Sequence, residues 1–147
     1  MEVVLTLADQ FHFHVRTHNN IEFSVDAHAA EPKGPAPMQL LLASVPACAA
    51  MDIVSILRKQ RIEIAAFTAH ARAERASEHP RVFTTMHLHF ALTSPDAEPH
   101  HLERAISLSE QKYCSAWAMV RASGCSVTWS YEIIRPSSSS SSLQWES

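Results

Sequence analysis

Glycine is nearly absent from this chain of 147 residues, which contains only Gly34 and Gly124. Phosphate-binding loops of the GxGxxG and GxxxxGK types need several glycines, because the backbone must turn tightly and approach the phosphate closely. The sequence therefore excludes nucleotide binding through such a loop. A GxSxG motif, which would indicate a serine nucleophile on a strained turn, is absent as well.

Concentrated positive charge and a recognisable targeting segment are also missing. The formal net charge is −3, and the lysines and arginines are scattered, so no nucleic-acid partner is expected. Glu2 stands where a signal peptide would carry lysine or arginine. The longest apolar stretch, residues 40–51, is interrupted by Ser44 and Pro46 and is too short to cross a bilayer. We expect a cytoplasmic protein without a membrane partner.

The chain contains three cysteines, Cys48, Cys114 and Cys125. An odd number of cysteines in a reducing compartment indicates free thiols, either buried or reactive, rather than a disulfide framework. A chain of this length, with 46% apolar residues, can fold as one domain without disulfides or a structural metal.

Three short strands are predicted at the start of the chain: an apolar segment over residues 3–7, and two segments over 11–15 and 21–25 in which apolar and polar residues alternate strictly. Asn19 and Asn20 lie between the second and third strands, and asparagine tolerates the left-handed conformation of a tight turn. The pattern therefore predicts a three-stranded antiparallel meander. A proline-rich linker over residues 28–37 follows it.

The remainder of the chain predicts two helices and three further strands. The first helix, over residues 38–60, is apolar nearly all round and contains Pro46, so it either bends there or a new helix begins with Ser44 as its cap. Strands are predicted over residues 62–75 and 81–92, a second helix over 99–123 and a last strand over 125–134.

The predicted element order is β-β-β-α-β-β-α-β, which favours an α+β fold. We assign residues 1–135 to one domain. Residues 136–147 are rich in serine and are expected to form a disordered tail, because they cannot bury enough apolar surface to become ordered.

Cys48 and Cys114 are the residues most suited to chemistry. If Pro46 begins a helix, Cys48 lies in its first turn, where free backbone N–H groups stabilise a thiolate. The alternative is that Cys48 is a small buried apolar residue. Cys114 lies on the second helix beside Tyr113 and Trp117, with the same two alternatives. Cys125 is interpreted as a packing residue.

Ten histidines raise the question of a metal site. His12 with His14, and His87 with His89, each place two imidazoles on one face of a strand, which is a plausible ligand geometry. Because no cysteine or carboxylate stands at a recognisable zinc spacing from them, we expect neither a metal nor another cofactor.

Three segments together resemble the OsmC/Ohr family of thiol-based peroxide-handling proteins. They are residues 37–57 (PMQLLLASVPACAAMDIVSIL), 81–90 (RVFTTMHLHF) and 108–115 (LSEQKYCS). The element order fits over residues 3–134. The resemblance implies an OsmC-like α+β fold, with two core helices against antiparallel sheets, and an intertwined homodimer whose N-terminal strands interlock.

The resemblance also implies an activity, the cofactor-free reduction of organic hydroperoxides in an oxidative stress response. Cys48 would attack the O–O bond as a thiolate and become a sulfenic acid, and Cys114 would condense with it to a disulfide that a dithiol reduces. Capture by a second thiol keeps the sulfenic acid from further oxidation. The alternative is a non-catalytic or weakly active dimer that binds an apolar small molecule at its interface.

The sequence departs from the family at one important place. Active hydroperoxide reductases of this family pair an arginine with a glutamate near the first cysteine, whereas this chain has Gln10 and Met38 at the corresponding positions. Without a nearby cation, the thiol loses one source of pKa depression. Gln39 and Arg16 are candidate replacements. The resemblance therefore leaves open whether the chain is an efficient enzyme.

Overall fold

A computed structural model describes residues 1–28 and 30–137. The described chain contains two three-stranded sheets, three α-helices and one π-helical segment, which confirms the α+β class. Its contacts divide it into two compact units, residues 1–44 and the chain from Val45 onwards. Most of the predicted serine-rich tail lies outside the described residues, and the single domain over residues 1–135 stays a prediction.

The first unit contains the predicted antiparallel meander. Its strands are β1 (Val3–Asp9), β2 (His12–Thr17) and β3 (Glu22–Val25), with β2 in the centre. Asn20 takes a positive φ of 63° in the turn before β3, as the sequence predicts for asparagine.

Large apolar side chains of this unit lie exposed. Every residue of β1 is exposed. Neighbouring segments add further exposed apolar residues, so that the set comprises Val3, Val4, Leu5, Leu7, Phe11, Ile21 and Phe23. An apolar group of this size is typical of a surface that another protein covers.

The segment after β3 packs closely on that strand. A Cβ atom at Gly34 would lie 2.0 Å from the backbone oxygen of Ser24, so only glycine fits there. Asp26 is buried, and its carboxylate accepts a 3.0 Å hydrogen bond from the backbone N–H of Lys33. These contacts tie the proline-rich linker to the meander.

Helix α1 (Pro37–Lys59) is continuous, and Pro46 lies inside it. The alternative in which a new helix begins near Pro46 with Ser44 as cap is therefore wrong, and the Ser44 hydroxyl instead donates to the carbonyl of Leu41. Within the second unit, the buried residues of α1 recur every fourth position, as expected for a helix that packs along one stripe. They are Val45, Ala49, Ile53 and Leu57.

By length and composition alone, α1 is long and apolar enough to cross a membrane. The expectation that this part of the sequence is too short to do so is corrected, because the helix extends well beyond residues 40–51. A core helix of a soluble protein passes the same test when it is mostly buried, whereas 22% of the most apolar window of α1 is buried.

The second unit is built on a sheet of β4 (Ala66–Arg75), β5 (Phe83–Thr93) and β6 (Ser126–Ile134), with β5 in the centre. Strand β4 pairs with β5 antiparallel, but β6 pairs with β5 parallel, which corrects the expectation of purely antiparallel sheets. Parallel neighbours need a long crossover connection, and the helices between β5 and β6 provide it. Alternate residues of β5 are buried: Met86, Leu88, Phe90 and Leu92.

The predicted second helix is interrupted. It consists of α2 (Pro99–Leu108), a π-helical segment (Ser109–Tyr113) and α3 (Ser115–Ala122). Cys114 separates the last two in an extended conformation, with φ −82° and ψ 104°. The prediction of one helix over residues 99–123 is therefore wrong at its centre. Gly124, with φ 93°, follows the end of α3 as predicted for a C-terminal cap.

Candidate thiol site

The two cysteines singled out in the sequence lie next to each other in the second unit. Cys48 projects from the middle of α1 and Cys114 from the break before α3. Their sulfur atoms and a carboxylate oxygen of Asp52 all lie within 4.8 Å of one another. All three cysteines of the chain are free thiols. The fold therefore gathers two thiols and one carboxylate from distant parts of the chain.

The two thiols differ in their access to solvent. Cys48 is half-buried, whereas Cys114 is buried at 3% exposure. Because α1 is continuous, Cys48 lies in the middle of a helix and not in a first turn. The prediction that free N–H groups of a new helix surround Cys48 is thus wrong, and the start of a helix lies at Cys114 instead.

Cys114 is the N-cap residue of α3, and its sulfur accepts a 3.3 Å hydrogen bond from the backbone N–H of Trp117. Burial nevertheless raises the pKa of the Cys114 thiol from 9.0 to about 11, with smaller raising contributions from the hydrogen bond with Cys48 and the negative charges of Cys48 and Asp52, while the Trp117 N–H lowers it. Cys114 is therefore a protonated thiol at neutral pH.

Asp52 lies one helical turn after Cys48, on the same face of α1. Its Oδ2 atom accepts a 2.9 Å hydrogen bond from the hydroxyl of Ser109, which is fully buried and begins the π-helical segment. Sequence reasoning did not assign a role to either residue. The sequence feature that could have pointed to Asp52 is a carboxylate four residues after a cysteine, in an otherwise apolar helix.

A cavity of about 360 Å³ borders the same carboxylate. Apolar side chains of Ile56 and Leu108 line it together with Asp52, and Lys59 and Arg104 contribute positive charge. Neither Cys48 nor Cys114 is among its lining residues. A small molecule bound there would lie beside Asp52 and not directly against the sulfurs.

The strand histidines bond to neighbouring hydroxyl groups. His87 contacts the hydroxyls of Thr128 at 2.7 Å and Ser130 at 2.8 Å, and His89 contacts Ser130 at 2.7 Å and Glu132 at 3.2 Å. Within residues 1–28 and 30–137, the cluster of at least three potential metal ligands contains Cys48, Asp52 and Cys114 but no histidine. The paired strand histidines considered as metal ligands are therefore not members of this cluster.

The remaining candidates from the sequence are not members of this cluster. Cys125 is buried at 4% exposure, in line with a packing role. Gln10 occupies the turn between β1 and β2 with φ 45°, and Met38 lies in the first turn of α1. Gln39 accepts a hydrogen bond from the backbone N–H of Ala36, so its side chain caps the start of α1.

Comparison with known proteins identifies relatives over most of the chain. The family described as OsmC-like protein matches residues 30–130. Protein YhfA of Escherichia coli strain K12 is 38% identical over 102 residues, which represent 69% of this chain and 75% of the relative.

Solved structures share the fold. A hypothetical protein from Aquifex aeolicus VF5 is 28% identical, with a TM-score of 0.76 over 90% of this chain and 96% of that one. An organic hydroperoxide resistance protein OsmC from Legionella pneumophila is 14% identical, with a TM-score of 0.62 over 90% of this chain and 97% of that one. At this low identity, the second likeness concerns the fold alone.

Proposed function

The chain belongs to the OsmC-like protein family, and we propose that it is a thiol-dependent reductase of organic hydroperoxides. Cys48 is the peroxidatic thiol and Cys114 the resolving thiol. The observation that carries the proposal is the proximity of their sulfur atoms, which lie within 4.8 Å. The Legionella protein of the same fold is named as an organic hydroperoxide resistance protein, and we extend that class of substrate to this chain.

The reaction consists of three balanced steps. The Cys48 thiolate attacks the distal oxygen of ROOH, the O–O bond breaks, and the alkoxide takes up a proton to leave as ROH. The resulting Cys48 sulfenic acid condenses with the Cys114 thiol to form a disulfide and water. A dithiol then exchanges with that disulfide, which regenerates both protein thiols and leaves the reductant as its own disulfide.

Exposure favours this assignment of the two roles. A hydroperoxide can approach the half-buried Cys48, whereas Cys114 is buried and protonated, so it is a poor first nucleophile. A disulfide requires an S–S distance of about 2.05 Å, so the sulfurs must approach each other by at most about 3 Å. That shift is within reach of side-chain rotation combined with a small adjustment at the break between the π-helical segment and α3.

A slow reaction is expected. Gln10 and Met38 supply no charge, and Cys48 lies in mid-helix without free backbone N–H groups around it. The Cys48 thiolate therefore lacks two common sources of stabilisation. Because the expected reaction is slow, binding of a small molecule is a second candidate function.

The second candidate is a non-catalytic or weakly active member of the family that binds a small molecule. The cavity of about 360 Å³ beside Asp52 favours it, since apolar walls and two cationic side chains suit an amphipathic ligand. In this case the thiols would react slowly and without turnover.

We further propose that the protein is a homodimer in the cytoplasm. The exposed apolar residues around β1 form a surface that is typically buried against another protein. A second copy of this chain with interlocked N-terminal strands would bury it. Free, closely spaced thiols stay reduced in the cytoplasm, where disulfides are rare.

Consumption of cumene hydroperoxide or tert-butyl hydroperoxide with dithiothreitol as reductant distinguishes the two functions. For a reductase, Cys48→Ser abolishes turnover, and Cys114→Ser stops the cycle at a trappable sulfenic acid. Cys125→Ser is the matched control and keeps wild-type turnover. If the wild type shows no turnover above the Cys48→Ser variant, the reductase proposal is wrong and the binding function is favoured.

A further inference from the structure

We infer that Cys48, Asp52 and Cys114 form a binding site for one thiophilic divalent cation, with Zn²⁺ as the best-matched ion. The site has three protein ligands and one open position. This inference is independent of the proposed reductase activity, because it requires only the reduced thiols and the carboxylate.

The spacing of the three ligand atoms suits tetrahedral coordination. In a zinc site with Zn–S bonds of about 2.3 Å, two sulfurs lie about 3.8 Å apart, and a sulfur and a carboxylate oxygen lie slightly closer. The three atoms here lie within 4.8 Å of one another. An ion placed among them would draw the ligands together by at most about 1 Å.

The type of ligand selects the type of metal. Two thiolates with one carboxylate favour zinc and other thiophilic ions over magnesium and calcium, which prefer sites made of oxygen alone. Three potential protein ligands are present in the described part of the chain, which leaves a fourth position for water or an added thiol. Cys48 and Asp52 are half-buried, so this position is open to solvent.

Two contacts outside the ligand set hold the ligands in place. The hydroxyl of Ser109 donates to Oδ2 of Asp52, which orients the carboxylate and leaves it with further acceptor positions for a metal. The backbone N–H of Trp117, at the start of α3, donates to the Cys114 sulfur and would offset part of the negative charge of a bound thiolate. Hydrogen bonds of this kind commonly support metal ligands.

A divalent cation bound to the two sulfurs ionises both thiols. Metal binding should therefore release protons, and it should exclude the disulfide, because both states use the same two sulfurs.

The test uses the full-length reduced protein in the absence of oxygen. One equivalent of CoCl₂ should produce sulfur-to-cobalt charge transfer and the intense visible bands of a tetrahedral site, and ZnCl₂ should then bleach both. After dialysis, elemental analysis should find one zinc per chain. Zinc should also slow alkylation of Cys48 by iodoacetamide.

Single-residue variants test which side chains bind the metal ion. We expect Cys48→Ser and Cys114→Ser each to weaken the charge-transfer band, because each removes one of the two sulfur ligands, and Asp52→Asn to weaken cobalt binding by about 10- to 100-fold or more. Ser109→Ala should weaken it by about 10-fold. Cys125→Ser is the control and should bind like the wild type. Circular dichroism verifies that each variant is folded.

Three results would overturn the inference. One is the absence of a charge-transfer band in the wild type while its thiols titrate as fully reduced. Another is a band of wild-type intensity in both Cys48→Ser and Cys114→Ser. The third is zinc binding that disappears in His87→Ala or His89→Ala and persists in the cysteine variants, which would move the site to the strand histidines. Failure of hydroperoxide turnover has no bearing on any of these readouts.

Discussion

The carboxylate of Asp52 and the hydroxyl of Ser109 form a 2.9 Å hydrogen bond between α1 and the first residue of the π-helical segment. This bond connects the helix that holds Cys48 to the segment that leads to Cys114. It therefore links the positions of the two thiols, although neither residue of the pair is a thiol.

We predict that Ser109→Ala destabilises the protein by about 1–3 kcal/mol, because it removes a buried donor from a charged acceptor. Urea unfolding measures the change. Ser55→Ala on the exposed face of α1 is the control and should stay within about 0.5 kcal/mol of the wild type. Equal stability of the two variants would show that the bond contributes little.

Ser109→Ala should also slow the closure of a disulfide between Cys48 and Cys114. The reason is that the π-helical segment would no longer be tied to α1 near the thiols. Quantification of the disulfide by mass spectrometry after one equivalent of hydroperoxide provides the measurement, with Ser55→Ala again as control. If the disulfide forms at the wild-type rate in Ser109→Ala, Ser109 does not hold the two thiols close together.

The raised pKa of Cys114 predicts a specific dependence of stability on pH. The thiol has a pKa of about 11 in the folded protein against 9.0 for an unperturbed thiol. Below pH 9 the Cys114 thiol is protonated in both the folded and the unfolded chain, and its full contribution to the free energy of unfolding is present. As pH rises from 9 to 11 the unfolded chain ionises first, so the free energy of unfolding falls, by up to about 1.4 kcal/mol per pH unit.

Cys114→Ser isolates this effect, because serine does not ionise in that range. We expect the difference in unfolding free energy between wild type and Cys114→Ser to shrink as pH rises from 9 to 11. Denaturant titrations in a phosphine reductant measure it. Parallel pH profiles for the two proteins would contradict the raised pKa.

The two glycines should respond differently to replacement by alanine. Gly34→Ala places a Cβ atom 2.0 Å from the Ser24 carbonyl oxygen, so backbone must move, and we expect a loss of about 3 kcal/mol or more. Gly124→Ala meets no atom within 4 Å and incurs only the strain of φ 93°, about 1–2 kcal/mol. Thermal melts of both variants compare them directly, and an equal loss would contradict the predicted clash.

The exposed apolar surface of the first unit predicts the oligomeric state. We expect the 16.4 kDa chain to sediment as a dimer, and Leu5→Glu to shift it to a monomer, because a charge on an apolar interface is costly. His18→Glu, in the exposed turn after β2, is the control. A monomeric wild type at micromolar concentration would reject the proposed homodimer.

Much of the architecture could be predicted because it depends on local periodicity. Alternating side chains indicated the strands, and the apolar run from residue 38 indicated α1. The parallel pairing of β6 could not be predicted, since an alternating strand has the same pattern in either direction. Resemblance to a family suggested that Cys48 and Cys114 come together, whereas spacing alone left both as possible core residues.

The environment of the site was harder to predict. Pro46 suggested a helix start near Cys48, yet α1 continues through it and the helix start lies at Cys114. The π-helical segment escaped prediction because its side chains resemble those of an ordinary helix. The hydrogen bond from Ser109 to Asp52, which depends on tertiary packing, is one contact associated with it.

The π-helical segment contains a loop of the backbone in which the N–H of Cys114 bonds to the carbonyl of Ser109, five residues earlier. An α-helix closes the same loop over four residues. Deleting one residue between positions 109 and 113 would shorten this loop to that of an α-helix and turn Cys114 by about 100° about the helix axis. The direction of the second sulfur thus depends on the one extra residue in this loop, so a change in loop length could separate the two thiols while both cysteines stay in the sequence.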